Sequence, residues 1–516
     1  MTIPMESVDL LIVGGGINGV GVARDAVGRG LSVLLCEQGD LAAGTSSASS
    51  KLIHGGLRYL EQYAFRLVRE ALAEREVLMS MAPHLVRPLR IVMPHDPGLR
   101  PWWQVRAGLL LYDNLSRRQR LEGSHGVRLT RSPLGEPLQP AWGRGFTYAD
   151  CRTDDARLVV LSARDAADRG AQVRPHTRCV EATRAGEEWR VTLQPQPAGA
   201  AYEVRARVLV NATGPWMKDG LPTVLTPATQ AVRLVKGSHL VLPALYPGDH
   251  GYILQNTDRR IVFVLPFADG FSLIGTTDVP CGGDPATVAM DDAEADYLCA
   301  VVNRYFAKAI TPGDAVWRFA GIRHLADADA ENPAAASREY VLPIEVGHDR
   351  DGAPLLSIIG GKLTGYREVA GHVLEKLRPW LPHMGPAWSG TLPLPGGDVP
   401  HGDMALFRAG LQRQYPWLAP ALAARLAGAY GTLTHTLLDG ARSPAELGRD
   451  FGAGLHEREV DYLIEREWAA GADDVLWRRS KLGLRLTPAQ RDALAAWMAH
   501  RAPGRAQPAP GAARLG

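Results

Sequence analysis

A chain of 516 residues, 46% hydrophobic and 22% charged, is longer than one core supports, so two or three domains are expected. Its net charge of +2 gives no reason to expect a nucleic-acid partner. Five scattered cysteines without a C-x-x-C pair make a poor disulfide framework and a poor zinc site; they fit reduced thiols in a cytoplasmic compartment.

Along the chain, residues 8–13 read as a short strand, 14–16 as a turn, 17–30 as a helix and 31–36 as a second strand. Residues 64–81 are Ala-, Leu- and Glu-rich and predict a helix. Residues 204–211, 261–266 and 271–274 predict strands. The stretch LPLPGGDVP (392–400) reads as a linker. Beyond it, residues 392–500 predict a helical C-terminal domain, and the Pro/Ala/Gly-rich tail 501–516 predicts disorder. No signal peptide is expected, because Asp9 interrupts the first apolar run and a Gly-rich turn ends it. No stretch approaches the ~20 apolar residues of a spanning helix, so any membrane attachment is expected to be peripheral.

Gly14, Gly16 and Gly19 form G-x-G-x-x-G between the first strand and the helix. Gly14 permits a tight turn, Gly16 lets the backbone approach a pyrophosphate, and Gly19 lets helix and strand pack closely. Ile17 and Asn18 begin the helix, whose unpaired N–H groups and positive dipole end suit phosphate. Glu37 closes the second strand, where an acid would accept hydrogen bonds from a ribose. The pattern predicts a dinucleotide site without separating FAD from NAD.

The segment TSSASSKLIHGGLRYL (45–60) follows. In order come DDARLV (154–159), NATGPW (211–216), KGSHLV (236–241), YILQNTDRRIVFVLP (252–266), IGTTD (274–278), GIRHL (321–325) and GGKLTGYRE (360–368). DFGAGLHEREVDYLIEREW (450–468) and ADDVLWRRSKLG (472–483) complete the series. Together they closely resemble the FAD-dependent, quinone-linked glycerol-3-phosphate dehydrogenases of aerobic bacteria. His324 stands where that family usually has Pro, and Gly365 where it usually has a second Thr.

The resemblance implies an α/β fold: a Rossmann-like FAD domain and a β-rich substrate domain interleaved over 1–391, then the helical domain. It implies non-covalent FAD, oxidation of glycerol 3-phosphate at C2 to dihydroxyacetone phosphate, and electron transfer to ubiquinone. It places the enzyme peripherally on the cytoplasmic face of the membrane. A homodimer is expected.

Flavin oxidation of a secondary alcohol needs the carbon held at the flavin, a base for the hydroxyl proton and a cation for the phosphate. Arg58 and Arg323 are the phosphate candidates, since a guanidinium fork matches phosphate oxygens. Lys362, after Gly360 and Gly361, is placed to hold the flavin edge or the phosphate, and Tyr59 to shape the pocket. His239 is the leading base. His54 is its rival, and also raises covalent flavin attachment. Each of these histidines has a purely structural alternative.

Further cofactor contacts are expected from Thr45, Ser46, Ser47, Ser49, Ser50, Lys51 and Leu52, and from Gly55 and Gly56. Ala212, Thr213 and Gly214 end a strand beside the cofactor. Gly361, Leu363 and Thr364 follow the second glycine pair, and Cys179 and Val180 are expected near the adenine. No metal site is expected, because the histidines lack partners at ligand spacing.

Residues 99–120 mix Trp102, Trp103, Leu109, Leu110, Leu111 and Tyr112 with five arginines. That suits a membrane interface, and equally a half-buried helix with snorkelling arginines. Two other functions share the architecture: an amine or amino-acid oxidase, and a non-catalytic flavin-binding module.

Overall fold

The computed structural model describes residues 6–217, 232–258, 260–325, 340–346 and 352–501. Strand β1 (Glu6–Val13) buries its last four side chains completely or nearly so, as a central strand covered on both faces must. A three-residue turn leads into helix α1 (Ile17–Gly28), then strand β2 (Val33–Cys36). The helix stops two residues before the sequence suggested, because Gly30 turns into the left-handed region at φ +85°.

β1 pairs in parallel with β2 on one side and with β3 (Tyr202–Asn211) on the other, so Val13 lies between Cys36 and Asn211. Among the described residues eight strands form this sheet. Helix α2 (Asp155–Asp168) and helix α3 (Tyr366–Leu377) pack against α1. Asp154 caps α2 by accepting from Arg157 N at 3.1 Å.

A second sheet of ten described strands holds β4 (Arg233–Pro243) and β5 (Trp317–Leu325). They run antiparallel, with His239 opposite Phe319, Gly237 opposite Gly321 and Val235 opposite Arg323. Two-residue alternation therefore puts His239, Phe319 and Arg323 on one face. The glycines between them make room. A Cβ on Gly237 would come within 2.4 Å of Arg323 Nη2, and one on Gly321 within 2.7 Å of the Ala48 carbonyl.

Past residue 400 the chain is helical, with helices at Met404–Gln414, Pro420–Tyr430, Glu457–Glu467 and Pro488–Arg501. They share a core around Phe407, Leu426, Tyr430, Val460 and Leu463. Asp474–Arg479 form a π-helical turn that the sequence did not announce. The expected tail from 502 onward lies outside the described residues.

The stretch 99–120 holds a helix, Trp102–Asn114. Leu109 and Tyr112 are buried, whereas Trp103 is 71% exposed and Leu110 and Leu111 remain outside. Apolar residues surround this helix because one side packs inward and another faces out. No described helix is long and apolar enough to cross a membrane.

Candidate active site

The two sheets and the C-terminal helices enclose a cavity of about 1450 Å³. Gly14, Gly16, Ile17 and Asn18 line it at the N-terminus of α1. The turn is a cradle that side chains would fill. Gly14 has φ +118°, and a Cβ there would come within 2.5 Å of the Ala212 carbonyl. A Cβ on Gly19 would lie 2.0 Å from the Gly14 carbonyl. The helix has no capping side chain at Gly16, and Ile17 N donates across to Ser46 Oγ at 3.0 Å. Asn18 donates to the Gly360 carbonyl at 3.2 Å, and its buried Oδ1 has no partner among the described residues.

Glu37 lines the same cavity and accepts from Gly15 N at 2.7 Å and Gly39 N at 2.8 Å. Burial pushes its carboxyl up, against the pull of those two N–H groups. Thr45, Ser46, Ser47, Ser49, Ser50 and Leu52 line the next wall. His54, Gly56, Ala212, Thr213, Gly214 and Cys179 also reach it, as do Gly361, Leu363 and Thr364. Thr364 Oγ1 accepts from His54 N at 3.2 Å, which ties the two glycine-rich segments together.

Two residues expected at the cofactor stand elsewhere. Lys51 is buried behind the loop, where its ammonium binds both Asp155 oxygens at 2.9 Å and the Ser47 carbonyl at 2.8 Å. Gly55 faces Tyr112 and Asp150, to which its N–H donates. Gly19 does not line the cavity; it packs against the Gly14 carbonyl, the close helix–strand approach expected of it. Val180, expected near the adenine through its backbone, is 37% exposed. A buried ammonium must be paired, and alternate strand residues face opposite ways; neither fact is visible in composition.

The substrate candidates Arg58, Tyr59, His239, Arg323 and Lys362 converge on this cavity. Lys362 Nζ sits 3.7 Å from the Tyr59 ring centroid, a cation–π contact. His239 is buried, stacks on Phe319 at 4.9 Å between centroids, and meets Ser50 Oγ through Nε2 at 2.9 Å. Burial, then the charges of Lys51 and Arg323, hold its imidazole well below the ordinary histidine range. It is therefore neutral at neutral pH, with one ring nitrogen unprotonated.

Arg323 donates Nη1 to Asp278 and Nη2 to the Thr277 carbonyl at 3.2 Å. Thr277 in turn donates to Glu294 at 2.6 Å, and Ser238 Oγ reaches the same carboxylate at 2.9 Å. His324, the first departure from the family pattern, is half-buried near Gly214; desolvation lowers its imidazole to about 4. Gly365, the second, precedes α3 with open space around it.

Sequence reasoning missed several lining residues. Thr276 and Asp278 sat inside a quoted motif without a role, as did Trp216. Trp468, Asp474, Trp477 and Arg478 come from the C-terminal domain, and no local signal ties them to this cavity. Asp40, His176 and Asp474 bring ligand-type atoms within 4.8 Å of one another. Arg478 and Arg479 already occupy the Asp40 carboxylate, so this cluster is an ion-pair node.

Residues 9–367 match the family described as FAD dependent oxidoreductase, and residues 388–502 match the C-terminal domain of alpha-glycerophosphate oxidase. The glycerol-3-phosphate dehydrogenase of Pseudomonas aeruginosa is 52% identical over 97% of this chain and 96% of its own. The aerobic glycerol-3-phosphate dehydrogenase of Escherichia coli is 48% identical over 96% and 98%. The D-erythritol 1-phosphate dehydrogenase of Brucella abortus is 46% identical over 95% and 98%. Among solved structures, the glycerol-3-phosphate dehydrogenase of Bacillus halodurans complexed with FAD aligns with a TM-score of 0.77 at 26% identity. That alignment covers 96% of this chain and 90% of the other.

Fold, cradle and family together define an FAD-dependent oxidoreductase. Within that class the chain belongs to the glycerol-3-phosphate dehydrogenase family. FAD fits the residues present: a glycine cradle at a helix N-terminus, Glu37 beyond it, and the unpartnered Asn18 oxygen.

Proposed function

We propose that the enzyme oxidises sn-glycerol 3-phosphate at C2 to dihydroxyacetone phosphate and passes the electrons to a quinone, ubiquinone being the expected acceptor. The observation that carries this reading is the convergence of His239, Arg323, Arg58, Lys362 and Tyr59 on the cavity that holds the Gly-rich turn. Bound FAD supplies the acceptor for the C2 hydride. Arg58, Arg323 and Lys362 hold the phosphate and so fix the position of C2. His239, kept neutral by burial, takes the hydroxyl proton, and Ser50 fixes the ring. His54 stands beside the cavity as the alternative base.

Anaerobic addition of glycerol 3-phosphate should bleach the flavin's visible absorbance, and a flavin left oxidised overturns the reading. Steady-state assays with a short-chain quinone, oxygen or NAD as sole acceptor then test the electron path; fast peroxide formation with slow quinone reduction makes the protein an oxidase. A second reading is D-erythritol 1-phosphate, because a 46% identical relative carries that name. Both substrates offer a phosphate and a secondary alcohol, so the ratio of their kcat/KM values decides.

Peripheral attachment to the cytoplasmic membrane completes the proposal. Trp103, Leu110 and Leu111 stand exposed on one helix, and Tyr63 and Phe65 are exposed on a neighbouring segment. Arg66 and Arg117 are exposed near them. Exposed apolar side chains on segments that also carry arginines suit an anionic lipid surface.

A further inference from the structure

The loop of residues 38–51 runs from the end of β2 along the cavity to the strand Leu52–Ile53. Its first end is tied directly to one short stretch of the C-terminal domain, and its second end is tied to that stretch through the start of α2. At the first end, the Asp40 carboxylate accepts Arg479 Nη1 at 2.6 Å and Nη2 at 2.7 Å, and Arg478 Nε as well. Arg479 is fully buried and also donates to the Glu467 carbonyl at 2.7 Å.

At the second end, Ser49 donates its N–H and hydroxyl to Asp155, at 3.2 and 2.7 Å, beside the Lys51 pair. Asp155 is the first residue of α2, next to its cap Asp154. Asp154 Oδ1 accepts Lys481 Nζ at 2.9 Å. On the same helix, buried Arg157 donates Nη2 to Glu467 Oε1 at 2.9 Å. The motifs around 154–159 and 472–483 are thus physical partners. The stretch 467–481 is itself cavity wall, through Trp468, Asp474 and Trp477, together with Glu37.

We propose that residues 467–481 form a latch that retains the flavin cofactor: FAD enters and leaves when this stretch separates from Asp40, Asp154 and Arg157. The physical reason is that buried ion pairs resist separation one partner at a time. Tying one end of the loop to this element directly and the other through α2 makes the wall open as a unit or stay shut. The inference rests on FAD binding and is independent of the substrate.

The test is the rate of FAD release from the holoenzyme, read as the rise in flavin fluorescence after dilution. The double variant Lys481→Met/Asp154→Asn removes one tie without stranding a charge. It should release FAD about threefold faster or more, the scale of a half-buried ion pair. The control is Arg304→Met/Asp96→Asn, which breaks a partly buried ion pair outside the cavity lining. It should leave the release rate near that of the parent. An unchanged rate in the first variant, or an equal acceleration in the control, overturns the latch. Hydrogen exchange of the unmodified protein gives a second readout, with no variant to fold. FAD should slow exchange across 467–481 about tenfold, through opening that the cofactor opposes. Equal exchange with and without FAD overturns the proposal too.

Discussion

Asp278 accepts a hydrogen bond from Arg323, so the arginine that faces the cavity is oriented by a carboxylate before any phosphate reaches it. The pair leaves part of the guanidinium fork for a ligand, because the side chain is still 27% exposed toward the cavity. An arginine so held loses little freedom when it binds.

Arg323→Ala should therefore lower kcat/KM for glycerol 3-phosphate about ten- to a hundred-fold, since a charge-assisted contact contributes roughly 1.5–3 kcal/mol net. Unphosphorylated glycerol, which lacks the contact, should change little. Asp278→Asn should raise KM with a smaller change in kcat, because it loosens the fork without removing it. Equal losses for glycerol and glycerol 3-phosphate would falsify the phosphate role and make Arg323 a structural partner of Asp278.

The pH dependence follows from His239. Its imidazole is held below the ordinary value by burial and by Lys51 and Arg323, so the folded protein keeps it neutral. Activity should stay flat through neutrality and fall only well below pH ~6.5. Stability has the same sign: below pH ~6.5 the unfolded chain takes up a proton that the folded one does not, so stability falls progressively from ~6.5 down to the lower range where the folded imidazole itself titrates. In His239→Gln the acid limb of kcat should vanish along with most of the turnover. A limb that survives in the variant assigns the base to another group, His54 first.

Gly19→Ala should strip the protein of flavin. The new methyl would meet the Gly14 carbonyl at 2.0 Å, so the cofactor turn must move. The absorbance ratio of flavin to protein after purification measures this, and a fully yellow variant would show that the turn adapts.

FAD should leave the denatured protein. Acid precipitation is expected to put the yellow cofactor in the supernatant, and flavin retained in the pellet would point to a covalent bond, with His54 as the first residue to map.

Trp103→Ser combined with Leu110→Ser should weaken cosedimentation with anionic vesicles, while solution turnover with a soluble quinone analogue stays close to the parent's. Each exposed apolar side chain contributes roughly 1.5–3 kcal/mol when buried in full, and less at an interface. Unchanged vesicle binding would move the contact surface elsewhere.

The sequence by itself determined the cofactor half of this protein. Gly14, Gly16, Gly19 and Glu37 act locally, within one strand–turn–helix–strand unit, so their spacing carries the site. Helix Phe65–Met81 and strand Ile261–Phe267 were legible for a related reason: apolar periodicity is written into each element's own residues. The substrate residues were legible only as motifs. Nothing local says that His239 and Arg323 share a face; the antiparallel register of β4 and β5 decides that. Lys51 shows the limit most plainly. Its place in a Ser-rich loop suggested a cofactor contact, yet burial beside Asp155 gave it a partner inside the protein. Asp40 and Arg478 lie 438 residues apart, and only the packing of the C-terminal domain makes them neighbours. Long-range ion pairs leave no periodic trace, because each partner alone resembles any surface charge until the fold removes the water around it.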